Sequence, residues 1–165
     1  MALATEPTNV MALSVLAGLG VKDDAFILSC RAAADAHPDD VPALLLLSGM
    51  LTGPERAKER RGLLEKAVRI APEDPEVLNV LAWEDVLAGN GRKALAIAQK
   101  AVDLAPDRAK ILDTLAAALA QSERCADALE AQRRAVKLAF DDGRSGGLQK
   151  RLAAYEAGCK SVPTD

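Results

Sequence analysis

The sequence predicts an all-α fold, a right-handed solenoid of antiparallel helix hairpins. Composition points there first. Half of the 165 residues are apolar but only 2% are aromatic, and the apolar mass is Ala, Leu and Val, which suits helices packed closely through small side chains. The aromatic and β-branched runs that strands prefer are missing. Periodicity points there second. Pro38, Pro72 and Pro106 lie 34 residues apart, and self-similarity at such a spacing marks a repeat architecture. Turn chemistry is third. Gly53-Pro54 and Gly89-Asn90-Gly91 fall midway between those prolines, where a hairpin has to reverse.

The residues before the prolines repeat as well. Lys66-Ala67-Val68-Arg69-Ile70-Ala71-Pro72 matches Lys100-Ala101-Val102-Asp103-Leu104-Ala105-Pro106. Arg134-Ala135-Val136-Lys137-Leu138-Ala139 follows one period later, with Phe140 in the proline's place. With proline as residue 32, the units run 7–40, 41–74, 75–108 and 109–142. Position 7 reads Leu13, Leu47, Leu81 and Leu115; position 8 reads Ser14, Ser48, Ala82 and Ala116. Position 20 reads Phe26, Arg60, Ala94 and Ala128; position 27 reads Ala33, Ala67, Ala101 and Ala135. The period and these anchors resemble the tetratricopeptide repeat over residues 7–142, most closely in the third and fourth units. Small residues let helix backbones approach, and the proline ends the second helix of each unit. One hairpin cannot bury its apolar face alone, so units must stack.

Residues 1–6 form an N-terminal arm. The first helix of unit one, Thr8–Leu19, has almost no polar face, and that of unit two, Pro42–Leu51, runs Ala43-Leu44-Leu45-Leu46-Leu47 before Ser48. An ordinary surface helix carries one apolar stripe instead. Pro54 opens the second helix of unit two. Asp141-Asp142-Gly143 breaks the chain after unit four. A C-terminal capping helix within 143–158 follows, with Leu148, Leu152 and Tyr155 on one side and Gln149, Lys150 and Glu156 on the other. Gly158 stops it, and 159–165 is a loose tail. Two residues depart from the pattern. Arg60 stands where Ala is usual, which predicts different packing of its helix. Asp85 replaces a large apolar residue, so it reaches solvent or has a partner.

The resemblance implies that the first helices of successive units line a concave groove through positions 2, 5, 6, 9, 12 and 13. Position 5 reads Met11, Leu45, Asn79 and Asp113; position 6 reads Ala12, Leu46, Val80 and Thr114; position 9 reads Val15, Gly49, Trp83 and Ala117. The partner-binding candidates are Met11, Val15, Leu45, Leu46, Asn79, Val80, Trp83, Asp113, Thr114 and Ala117. Their groove is apolar at its N-terminal end and polar at the other. Leaving a Leu exposed forfeits roughly 1.5–3 kcal/mol, so the apolar end calls for a cover. A partner peptide or helix, a second copy paired through the N-terminal half, or further chain of its own each provides one. Trp83, the only Trp, is an aromatic anchor or part of the core. Asn79 and Asp113 hold a ligand backbone or stand as solvated polar residues. Chaperone-binding members of the family hold a C-terminal carboxylate with Lys, Asn and Arg at positions 2, 5, 6 and 9. Here the matching positions supply Met11, Val15, Leu46, Glu76 and Val80, or Leu45, Gly49, Val80, Lys110 and Thr114. Only Lys110 fits, so no carboxylate clamp is expected.

Other classes receive little support. The formal charge is -3 with no basic stripe, which argues against nucleic acid and anionic membranes. Cys30, Cys125 and Cys159 have no CxxC spacing, so neither metal nor other cofactor is expected. Their wide spacing suits a reduced compartment or small apolar fillers. The apolar run Val10–Val21 is shorter than the about 20 residues a bilayer needs, and it lacks a positive flank. The expected location is cytoplasmic, or periplasmic for a piece of a larger exported protein. The Ala-rich, aromatic-poor composition looks bacterial. His37 precedes Pro38 in a turn, with no nucleophile assembled around it. Asp23-Asp24 and Asp39-Asp40 fall at helix starts, as caps. Gly18-Leu19-Gly20 has no preceding strand and is too short for a phosphate loop. Glu55–Arg61 mixes signs like a solvated face. No enzyme is expected. The readings left are an adaptor binding an apolar peptide or helix, and a self-assembly module, as homo-oligomer or tail of a larger repeat protein.

Overall fold

The structure, a computed structural model, describes residues 8–140 and 146–159. The arm 1–6, the break at Asp141–Gly143 and the tail beyond Cys159 lie outside them. Among the described residues the fold is all-α, of the helical-repeat solenoid class. The helices are α1 (Val10–Gly18), α2 (Asp24–Ala36), α3 (Val41–Met50), α4 (Ala57–Ile70), α5 (Pro75–Leu87), α6 (Gly91–Leu104), α7 (Ala109–Gln121), α8 (Cys125–Phe140) and α9 (Gly146–Ala157), with a 3-10 turn at Pro54–Arg56. The chain divides into two compact units, Met1–Pro72 and Glu73–Asp165.

Helix ends follow local chemistry. Asn9 caps α1 by accepting from the Ala12 N–H at 3.0 Å, Asp23 caps α2 through Phe26 at 2.8 Å, and Asp74 caps α5 through Glu76 at 2.8 Å. Asp40 occupies the same place at α3 but makes no such side-chain bond, while Asp39 lies 3.7 Å from Lys66. Pro38, Pro72 and Pro106 each stand two residues beyond the end of α2, α4 or α6. The leading helices α1, α5 and α7 end in one shared motif. Val21, Asn90 and Arg124 donate back to Leu16, Asp85 and Leu119, and Gly20, Gly89 and Glu123 to Ala17, Val86 and Ala120. This pairing satisfies carbonyls that a helix end leaves open. It demands a left-handed residue, and φ is +75° at Gly89 and 62° at Glu123.

In the C-terminal unit α7 is the centre. Every residue from Ile111 to Ala120 is buried between α6 and α8 and against α5. Ala82, Ala94, Ala101, Ala116, Ala128 and Ala135 are fully buried, which permits close helix approach. A Cβ on Gly91 would lie 2.6 Å from Gln121 Cβ, so α6 and α7 touch where only glycine fits. Asp85 is fully buried with Lys93 Nζ 3.8 Å away, so it has a partner rather than solvent.

In the N-terminal unit Leu13, Phe26, Cys30, Ala33, Ala43 and Leu47 form the core. Arg60 Nη1 donates to the carbonyls of Leu51 at 2.6 Å and Gly53 at 3.5 Å. Its helix spends the non-consensus side chain on the α3–α4 connection. Arg31 on α2 hydrogen-bonds Glu59 on α4, and this bond holds the Glu59 carboxyl below its ordinary range.

The cysteines require a correction. Cys125 and Cys159 are joined as a disulfide with their Cα atoms 5.7 Å apart, so only Cys30 is free, and it is buried. Burial pushes the Cys30 thiol pKa up, which makes it an inert filler. The leaning towards a reduced, cytoplasmic setting rested on unpaired thiols and loses that support.

Candidate functional site

The candidate residues divide between the two units. In the N-terminal unit α1 carries no charged residue, and Leu13 is its one buried side chain. Met11, Val15 and Leu19 are 80%, 59% and 75% exposed. Their i, i+4, i+8 spacing puts them along one ridge. Leu45 and Leu46 on α3 are half-buried, and Leu46 packs against the core of this unit. The N-terminal candidates are therefore exposed apolar side chains on and just past α1, and a partly covered pair on α3.

In the C-terminal unit the candidates are already engaged. Asn79, Asp113, Thr114 and Ala117 are buried; Val80 and Trp83 are half-buried. The reading of Asn79 and Asp113 as solvated polar residues fails, because the chain's own helices cover them. Arg151 on α9 reaches Asp113 on α7, with Nε 2.7 Å from Oδ1 and Nη2 2.7 Å from Oδ2. This two-pronged fit is the strong form of such a pair. The Arg151 Cζ also lies 5.8 Å from the centre of the Trp83 ring, within cation–π range. Gln132 Nε2 on α8 donates to Asp113 Oδ1 at 2.9 Å and to the Leu148 carbonyl at 3.0 Å.

In this unit Asn79 Oδ1, Gln132 Oε1 and Tyr155 Oη are among the buried polar atoms without a hydrogen-bond partner. Tyr155 is 2% exposed. Burial, helped by the Asp113 charge and opposed by Arg151, pushes its pKa from 10.0 to about 12. Beside Asp113 and Arg151 lies an open cleft of about 540 Å3, lined also by Arg108, Lys110, Leu138 and Leu148. Lys110, the one residue matching a carboxylate clamp, lies 2.9 Å from Glu76 one period earlier.

Sequence reasoning placed the capping helix but missed Arg151, Gln132 and their contacts with Asp113. A signal was present. Leu148, Leu152 and Tyr155 define the apolar stripe of α9, and Arg151 stands within it at helical spacing. A cation on a buried stripe needs a counter-charge, and Asp113 is that charge.

His37 is exposed, just past the end of α2. Among the described residues no group of His, Cys, Asp and Glu is placed to hold a metal, and no helix is long and apolar enough to cross a membrane.

No protein-family model matches the sequence, and no curated protein matches it. Solved structures do. TTC0263, a thermophilic TPR protein of Thermus thermophilus, is 20% identical with a TM-score of 0.76, over 94% of this chain and 86% of that one. MamA of Desulfovibrio magneticus RS-1 is 12% identical with a TM-score of 0.65, over 92% and 94%. YrrB, described as a TPR protein with an unusual peptide-binding site, is 16% identical with a TM-score of 0.62, over 94% and 82%. An O-GlcNAc transferase of Thermobaculum terrenum matches with a TM-score of 0.61 at 23% identity, but over 26% of its length. The fold of this chain is that of tetratricopeptide-repeat proteins.

Proposed function

We propose that the chain is a protein-interaction module whose N-terminal unit binds an apolar segment of a partner polypeptide along α1 and α3. One observation carries this reading: the ridge of Met11, Val15 and Leu19 on a helix without charge. Exposed apolar side chains are ordinary when scattered. Aligned along and just past one helix of the unit that also carries Leu45 and Leu46, they form the kind of patch that interaction sites use. An amphipathic helix with anchors at i, i+4 spacing fits such a ridge. That YrrB is described as having a peptide-binding site lends the fold-level part of the reading support. The charge pattern favours neither nucleic acid nor a membrane surface, and the reading needs no cofactor and no catalysis.

The test pairs a capture experiment with a measurement of mass. The Met11→Asp, Val15→Asp double variant changes only exposed positions, so it keeps the wild-type helical circular dichroism. Proteins captured by the wild type are expected to be lost, at least ten-fold, from this variant. Light scattering across concentration is expected to show a monomer. A stable dimer that Leu45→Asp or Leu46→Asp dissolves would replace this reading with self-assembly through the same face.

A further inference from the structure

We propose that the wall formed by Trp83 and Asp113 in the C-terminal unit is a binding site for an arginine-bearing helix, that α9 fills it in cis through Arg151, and that the Cys125–Cys159 disulfide latches α9 there. This inference is independent of the N-terminal ridge and concerns the other unit.

The ligand class is read from the residue already seated. A guanidinium accepted on both oxygens of Asp113 and placed near the face of Trp83 uses its planar fork, its charge and its faces together. A lysine offers a single ammonium and meets fewer of these demands. A wall built this way accepts the same group from another polypeptide once α9 moves away.

Three observations indicate that α9 is a replaceable occupant. Tyr155 is its only buried residue, and its outer ion pair, Arg133 with Glu156 at 3.0 Å, lies at the surface. The buried Gln132 Oε1 on α8 and α9's own Tyr155 Oη have no hydrogen-bond partner, and each such orphan weakens the seat. The cleft beside Arg151 and Asp113 remains open, which leaves the carboxylate side of the site approachable. Beyond the Arg151–Asp113 pair and the chain connection from α8, one further covalent tie holds α9. Cys125 begins α8, and Cys159 lies just past α9. The tie keeps the local concentration of Arg151 at the wall high, and an outside helix must compete against it.

Release is a two-electron exchange. A dithiol reductant attacks the Cys125–Cys159 bond, the S–S bond breaks, and both cysteines leave as thiols. The dithiol supplies the two electrons and two protons and closes to its own disulfide.

The experiment uses the whole chain and a labelled synthetic copy of α9, residues 146–157, as probe. Its affinity is read by fluorescence anisotropy before and after dithiothreitol. The expected result is at least ten-fold tighter binding to the reduced protein, with a shift in Trp83 emission as the ring loses Arg151. Trp83 is the only tryptophan, so the shift has one source. A probe carrying Arg151→Gln, or a protein carrying Asp113→Asn, is expected to lose at least ten-fold of that affinity. Cys159→Ser is expected to bind without reductant. Equal binding by oxidised and reduced protein overturns the latch. Equal binding of the Arg and Gln probes overturns the arginine site. Loss of helical circular dichroism on reduction also overturns the latch, because the disulfide would then hold the fold rather than the occupant. Met11→Asp with Val15→Asp is expected to change none of these readouts, which separates this inference from the N-terminal reading.

Discussion

α1 and α7 open equivalent hairpins and are similarly rich in Ala, Leu and Val, yet α7 buries every residue from Ile111 to Ala120 while α1 buries Leu13 alone. Composition does not explain the difference; neighbours do. α7 has α5 and α6 on one side and α8 on the other, whereas α1 packs on α2 and α3. In a repeat stack, burial is conferred by the adjoining units. The same apolar sequence is core when flanked on both sides and surface when flanked on one.

Substitutions at matched sites test that contrast. The largest effect belongs to Leu112, which is fully buried in α7. Leu112→Ala is expected to cost about 3–4 kcal/mol, by urea unfolding, from lost transfer energy and the cavity left behind. Met11→Ser, on the exposed ridge of α1, is expected to change stability by less than about 0.5 kcal/mol. Comparable losses at the two positions would break the comparison.

A second difference appears only in alkali. Tyr155, the only tyrosine, belongs to the C-terminal unit, and its phenol is held neutral in the folded state up to about 12. The unfolded chain ionises it near its ordinary value of about 10. Its stabilising contribution is thus complete below pH 10 and is lost as pH rises through about 12, amounting to about 2–3 kcal/mol. Phenolate absorbance isolates the titration. Tyr155→Phe is expected to remove that part of the alkaline loss, with little cost at neutral pH, since the hydroxyl has no hydrogen-bond partner. An unshifted absorbance titration would show that this unit is wetter than its packing implies.

The smallest effect concerns two turns one period apart. Gly89 and Glu123 both hold positive φ, but only the glycine does so without steric cost. Glu123→Gly is expected to raise the thermal midpoint, by about 0.5–1 kcal/mol of stability.

Much of the fold was legible because repetition carries geometry. The prolines marked the ends of second helices, the small residues at positions 8, 20 and 27 marked where backbones approach, and Gly89 marked the left-handed turn. The candidate site was legible only in part, because groove positions specify direction and not occupancy. Asp113 sits on a leading helix, but nothing at that position announces that Arg151 of α9 reaches it. The partner of Asp85 was hidden because Lys93 comes from across a turn. The disulfide left a trace that was not used. Cys159 follows Cys125 by 34 residues, one full period, and residues one period apart in a stack are spatial neighbours. Arg60 shows the opposite limit. Its departure from the pattern was visible, but its use in holding the Leu51 carbonyl depends on a turn whose path the periodicity does not describe.

The contact at Gly91 reaches further than its size. Gln121 leaves no room there for a methyl group and donates its amide to the Val86 carbonyl at 2.7 Å. The close approach of α7 to α6 at this point, and with it their angle, therefore depends on a hydrogen atom where any other residue has a carbon. In an array assembled by copying this join, each copy would inherit the same angle. The curvature of such an array would accumulate from the absence of one carbon per step.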